Sequence, residues 1–230
     1  MGQCSDMARL GLSSIEPFED ASTGPAVRGI LHRPSGPSAR GLVLTHGAGS
    51  DCEAPLLRAL AGAFAHAGFV VLRCDLPFRQ ARPVGPPWPA TAARDREGLR
   101  RAVRALRSVV NGQISLGGHS YGGRQASVLM AEEPALAETL LLLSYPLHPP
   151  RRRREQRTEH FPALRTPTLF VHGSRDPFGS LDELKTAMRL ISASTMLLTV
   201  ERAGHDLARG GPDTPLASIV EAFRRIRPSG

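Results

Sequence analysis

The sequence predicts an α/β protein with a mostly parallel central sheet and helices on both faces, and three observations carry that expectation. Short apolar runs recur along the chain, and they are continuous rather than alternating, which suits strands buried on both sides. The segments between them repeat apolar residues at helical spacing. A length of 230 residues with 41% hydrophobic and 22% charged residues gives enough apolar surface for one domain spanning 1–230. Residues 1–12 are expected to form a disordered tail.

Taken in order, AVRGILHRP is an early strand expected to pair with the sheet edge, and GLVLT (41–45) is the first core strand. Leu57, Leu60, Ala61 and Phe64 share one helical face, after which FVVLRC (69–74) returns to the sheet. VGPPWPAT (84–91) reads as a proline-rich loop ahead of a helix carrying Leu99, Ala102, Val103 and Leu106. QISLG (113–117), ETLLLLSY (138–145), PTLFVH (167–172) and TMLLTV (195–200) complete the strands. Ser180-Leu-Asp-Glu183 has the form of a capping box, and Asp213-Thr214-Pro215 puts a cap candidate before a proline suited to a first helical turn. The final helix carries Leu216, Ile219, Val220 and Phe223. Between Tyr145 and Pro167 there is room for a loop and one short helix, too little for a cap domain.

Composition excludes several function classes. Of 29 basic residues only Lys185 is a lysine, and most arginines stand singly beside acids, so the net charge of +8 reflects an arginine bias rather than a nucleic-acid footprint. With two tyrosines there is little aromatic interleaving for base stacking. The N-terminus lacks an apolar leader, and no apolar run reaches membrane-spanning length, so a cytoplasmic protein without membrane partners is expected. Cys4, Cys52 and Cys74 are widely spaced and expected to be free thiols. The histidines show no HExxH-like spacing, so neither a metal nor another cofactor is expected.

One motif carries chemistry. Gly118-His119-Ser120-Tyr121-Gly122 fits G-x-S-x-G directly after a strand and before the helical segment RQASVLMAEE, as a nucleophile elbow requires. Larger side chains at the flanking glycines would collide with strand and helix. Ser120 would then stand exposed at the C-terminal edge of the sheet, at the head of a helix where an oxyanion could form.

These features resemble the α/β-hydrolase superfamily from about Val27 onward. The resemblance implies the chain order Ser, acid, His: Asp176 in GSRDPFG and His205 in ERAGHDLA both follow strands, with Asp182, Asp206 and Glu201 as nearby alternatives for the acid. Thr45-His46-Gly47-Ala48-Gly49 resembles the HGxG loop, which assigns the oxyanion donors to the backbone N–H groups of Ala48 and Tyr121. More narrowly, SYPLHPP, RTEHFPALRTPTLFVHG and SRDPFG resemble the small, lidless, dienelactone-hydrolase-like branch, closest to the Tex/KANSL hydrolase-like family.

The resemblance implies a serine carboxylesterase, thioesterase or dienelactone-hydrolase-like enzyme acting on a small-molecule acyl substrate, with amide cleavage left open. The site is expected to be shallow and open. Arg79, Arg82 and the run Arg151 to Arg154 are expected to rim it and to favour carboxylate-bearing acyl groups. His46 is read first as a loop residue and second as a substrate contact beside Arg79 and His148, with His160 undecided. The alternative function is a non-catalytic, hydrolase-like interaction module. Oligomeric state is not readable.

Overall fold

A computed structural model describes residues 14–152, 154–207 and 215–226. Its strands are β1 (Ser14–Asp20), β2 (Val27–Arg33), β3 (Arg40–Thr45), β4 (Val70–Cys74), β5 (Gln113–His119), β6 (Thr139–Leu143), β7 (Thr168–Gly173) and β8 (Thr195–Val200). Its helices are α1 (Pro55–His66), α2 (Pro77–Ala81), α3 (Ala92–Val109), α4 (Tyr121–Glu132), α5 (Leu181–Met188) and α6 (Leu216–Arg225). The strands form one sheet in the order β1-β2-β4-β3-β5-β6-β7-β8. From β4 to β8 all neighbours run parallel, and β2 pairs antiparallel with both β4 and β1.

The continuous apolar runs of β3 to β7 have the double burial expected of them, whereas β8, at the sheet edge, is only half-buried up to Val200. Leu42 and Leu44 of β3 pack with Leu57, Phe64 and Phe223 on the face covered by α1 and α6. Val43, between them, packs with Leu99, Leu106 and Leu129 on the face covered by α3 and α4. β6 alternates likewise, with Leu141 and Leu143 toward the first face and Leu140 and Leu142 toward the second. All four are wholly buried, each worth about 1.5–3 kcal/mol against an exposed leucine.

Two elements escape the sequence reading. β1 lies within the expected domain but has no counterpart among the expected strands. Its SIEPFED carries Pro17 and the acids Glu16, Glu19 and Asp20, and it is held at the sheet edge by ion pairs Glu19–Arg28 (2.9 Å) and Glu16–Arg33 (2.8 Å) to β2. Such charges also discourage strand addition at an open edge. α2 is a five-residue helix that starts at Pro77. The capping box at Ser180 forms, its side chain accepting from the Glu183 N–H while Glu183 accepts from the Ser180 N–H. Asp213, Thr214 and residues 1–12 lie outside the described residues, as does Cys4; Pro215 immediately precedes α6 rather than sitting in its first turn. Cys52 and Cys74 are free and buried. No helix among the described residues is long and apolar enough to cross a membrane.

The β2–β4 pair contains a buried polar contact with a testable consequence. Arg73 Nε donates to His32 Nε2 at 2.9 Å, and His32 is 2% exposed, so the imidazole must stay neutral to accept. Burial, then the neighbouring Arg73 charge, pulls the His32 pKa down to about 4. The unfolded chain, titrating near 6.5, therefore takes up its proton first; the stability is complete above about pH 6.5 and is lost as pH falls through the folded pKa. Thermal melts at matched ionic strength should show stability falling between about pH 6.5 and 4, with His32→Gln removing roughly 1 kcal/mol per pH unit of that slope at most.

Candidate active site

The C-terminal ends of β5, β7 and β8 deliver three side chains to one point. Ser120, between β5 and α4, adopts φ 51° and ψ −115°, a left-handed conformation unusual for a residue with a Cβ. Two glycines permit it. A Cβ on Gly118 would lie 2.7 Å from the Gly122 carbonyl carbon and the Gly123 nitrogen, and one on Gly122 would lie 2.5 Å from the His46 oxygen. The helix start can therefore fold back tightly on its strand and on the loop after β3.

Ser120 Oγ lies 2.7 Å from His205 Nε2, and His205 Nδ1 lies 2.8 Å from Asp176 Oδ2. The Asp176 side chain is fully buried, and its Oδ1 accepts from the Phe178 N–H at 2.9 Å, so both carboxylate oxygens are engaged. The alternative acids Asp182, Glu201 and Asp206 are not buried, and Asp182 pairs with Lys185 at 3.6 Å. His205 is held on both sides. Phe178 meets its ring edge-on at 4.5 Å between centroids, and the His119 ring lies 5.2 Å away. His119 Nε2 donates to the His205 carbonyl at 2.8 Å, which settles its tautomer, and burial pulls its pKa down to about 4. It therefore braces the loop as a neutral group.

The loop after β3 comes alongside. The Gly122 N–H donates to the His46 carbonyl at 3.2 Å, and Ala48, Ser120 and Tyr121 all line one cleft of about 490 Å³. Tyr121 is oriented from beneath, its hydroxyl donating to the buried Asp95 at 2.7 Å. Burial raises the Asp95 pKa despite that bond and those from the Phe78 N–H and Thr91. Pro86, Trp88, Pro89 and Ala92 form an apolar wall of the cleft; Arg124, Gln125 and Arg157 also line it.

A family model described as alpha/beta hydrolase domain matches residues 38–214. The chain belongs to the alpha/beta hydrolase family. Solved members share its fold: a dienelactone hydrolase from Anabaena variabilis superposes with a TM-score of 0.72 at 20% identity, covering 91% of this chain and 94% of that one. An alpha-beta serine hydrolase homologue from Coxiella burnetii gives 0.71 at 19%, covering 91% and 96%. A serine hydrolase without lid from Xanthomonas campestris gives 0.68 at 15%, covering 92% of each chain. At these identities the likeness is one of fold. In this alpha/beta hydrolase, too, no cap domain is evident among the described residues: the stretch from β6 to β7 holds loop and one 3-10 turn, Phe161–Ala163.

The residues expected to touch substrate need correction. His46 is wholly buried; its Nε2 accepts from the Leu76 N–H at 3.1 Å, which leaves Nδ1 to donate to the Gly47 carbonyl at 2.9 Å. Both nitrogens are spent on backbone. Arg79 is 7% exposed and donates to the carbonyls of Ser50, Ala48, Arg82 and Gly85, clamping the loop after β3 to the proline-rich segment. His148 is spent on the Glu155 carbonyl at 2.8 Å and the Glu183 carboxylate at 3.2 Å. His160 bonds Ser127 at 2.8 Å. None of the four lines the cleft. Arg82 bonds the Pro86 carbonyl and lies over the Trp88 ring, while Arg151, Arg152 and Arg154 are exposed and Arg153 lies outside the described residues. The arginines that do line the cleft, Arg124 and Arg157, were missed. A signal existed for Arg124: it stands four residues after Ser120 on a helix, hence on the same face one turn on.

Proposed function

We propose that this chain is a serine hydrolase that cleaves small carboxylic esters or thioesters through Ser120, His205 and Asp176. His205 Nε2 takes the Ser120 proton as Oγ attacks the acyl carbon, and Asp176 holds the proton on Nδ1 and offsets the imidazolium charge. The Ala48 and Tyr121 N–H groups take the oxyanion, a contribution worth roughly 2.7–4 kcal/mol per donor in sites of this kind. His205 then protonates the leaving alcohol or thiol, and a water, deprotonated by the same imidazole, releases the acid and restores Ser120.

The observation that supports this reading is the unbroken chain of contacts, 2.7 Å from Oγ to Nε2 and 2.8 Å from Nδ1 to a buried carboxylate. A surface turn serine has no need of it. The test is labelling with a fluorophosphonate followed by peptide mass mapping, together with turnover of a short-chain 4-nitrophenyl ester and its thioester counterpart. A covalent adduct confined to Ser120 is expected. Folded protein that neither labels nor turns over either substrate would return the chain to the interaction-module reading.

A further inference from the structure

Among the described residues, three side chains that line the cleft carry donors with nothing to donate to. Arg124 sits one helical turn beyond Ser120, its N–H bonded to the Ser120 carbonyl at 2.9 Å. Its Nε is buried and makes no hydrogen bond to any described group. Gln125 is wholly buried; its Oε1 accepts from Arg96 at 3.2 Å, and its Nε2 has no partner among the described residues. Arg157 comes from the loop after β6 and is held by its backbone rather than its charge, its N–H donating to the Leu147 carbonyl at 2.8 Å. Its pKa is pulled below the usual arginine range, first by burial and then by the charge of Arg124. Neither arginine has a carboxylate within ion-pair distance among the described residues; Glu155 and Glu159, both exposed, act on Arg157 only at longer range.

The other half-buried arginines have partners for their guanidinium groups: Arg40 and Arg82 donate to the carbonyls of Ala67 and Pro86, and Arg33 pairs with Glu16. Arg96 meets Glu132 at 3.3 Å, and Arg100 meets Glu133 at 2.6 Å. Two guanidinium groups that repel each other across a partly desolvated cleft, beside an orphan amide, are costly as they stand. A planar anion seated between the two guanidinium groups would offset their repulsion, since a carboxylate offers about four acceptor sites and matches the guanidinium fork. The wall of Pro86, Trp88, Pro89 and Ala92 suits the hydrocarbon of a short chain.

Resting on the hydrolase reading above, we infer that Arg124, Gln125 and Arg157 form a carboxylate subsite, so that the substrate is a short acyl ester or thioester whose chain ends in a second, free carboxylate. The arginines that perform this task are not those that follow the strands in sequence. They lie on the nucleophile's own helix and on the loop after β6.

The test compares the 4-nitrophenyl half-ester of adipic acid with its methyl ester, which has the same acyl chain and no charge. The ratio of kcat/KM values, anion over neutral, is expected to be at least about tenfold, to reside mainly in KM, and to shrink as salt is raised. In the double variant Arg124→Gln, Arg157→Gln the ratio should collapse toward one. A wild-type ratio at or below one, or a ratio that survives in the double variant, overturns the subsite. Should neither ester turn over and Ser120 fail to label, the hydrolase reading falls, and the subsite is judged separately by calorimetry on Ser120→Ala. Monomethyl adipate should then bind at least about tenfold more tightly than dimethyl adipate, and the difference should vanish with both arginines removed. Equal binding, or binding of neither, overturns it.

Discussion

Ser120→Ala lowers kcat/KM on an activated short-chain ester by roughly 10⁵–10⁶-fold, the scale seen when the nucleophile of a triad is removed. The expectation rests on Ser120 Oγ being the group that His205 Nε2 meets, at 2.7 Å. Without it the imidazole can still activate water, and the residual rate should remain measurable above background because the oxyanion contacts proposed for the Ala48 and Tyr121 N–H groups are left in place. Folding should hardly change. Alanine meets the same left-handed backbone at position 120 with a similar steric cost, so melting temperatures of the two proteins should agree within a few degrees. Initial-rate kinetics on enzyme free of host esterases, with mass analysis after fluorophosphonate treatment, check both points. A variant that keeps more than a few per cent of the wild-type rate would remove Ser120 from the chemistry.

Asp176→Asn is expected to lower kcat about 10⁴-fold with KM little altered. Asp176 accepts twice, from His205 Nδ1 at Oδ2 and from the Phe178 N–H at Oδ1. Asparagine can keep its oxygen on Phe178 only by turning its NH₂ toward His205. The imidazole must then accept at Nδ1 and carry its proton on Nε2, where it can no longer take one from Ser120. His172 offers no repair, because its Nε2 already donates to the Gly179 carbonyl at 2.8 Å and lies 3.9 Å from the carboxylate. Single-turnover kinetics separate this loss from any change in product release. A loss under tenfold would point to another acid.

The sequence discloses some of these elements and hides others, for physical reasons. β3 to β7 declare themselves because strands covered on both faces need unbroken apolar runs, and Leu140 to Leu143 satisfy that demand without a polar interruption. The elbow declares itself because its glycines answer a local steric need. β1 does not, since an edge strand held by Glu16 and Glu19 to Arg33 and Arg28 has the composition of a solvated loop. That Ser120, Asp176 and His205 meet could be read from order along the chain, because each follows a strand and parallel strands end together. The substrate contacts could not. Sequence says which strand an arginine follows, but not that Arg79 would exhaust its guanidinium on backbone carbonyls while Arg124 would keep its Nε unspent.

The wall of the cleft has an experimental use as well. Trp88 is the chain's only tryptophan, stands 64% exposed, and has the Arg82 guanidinium 4.6 Å above its ring. Its intrinsic fluorescence therefore comes from a single indole at the mouth of the site, without a buried background. A molecule seated against it displaces solvent and should shift the emission toward the blue, so occupancy can be titrated optically on unlabelled protein, including variants that no longer react.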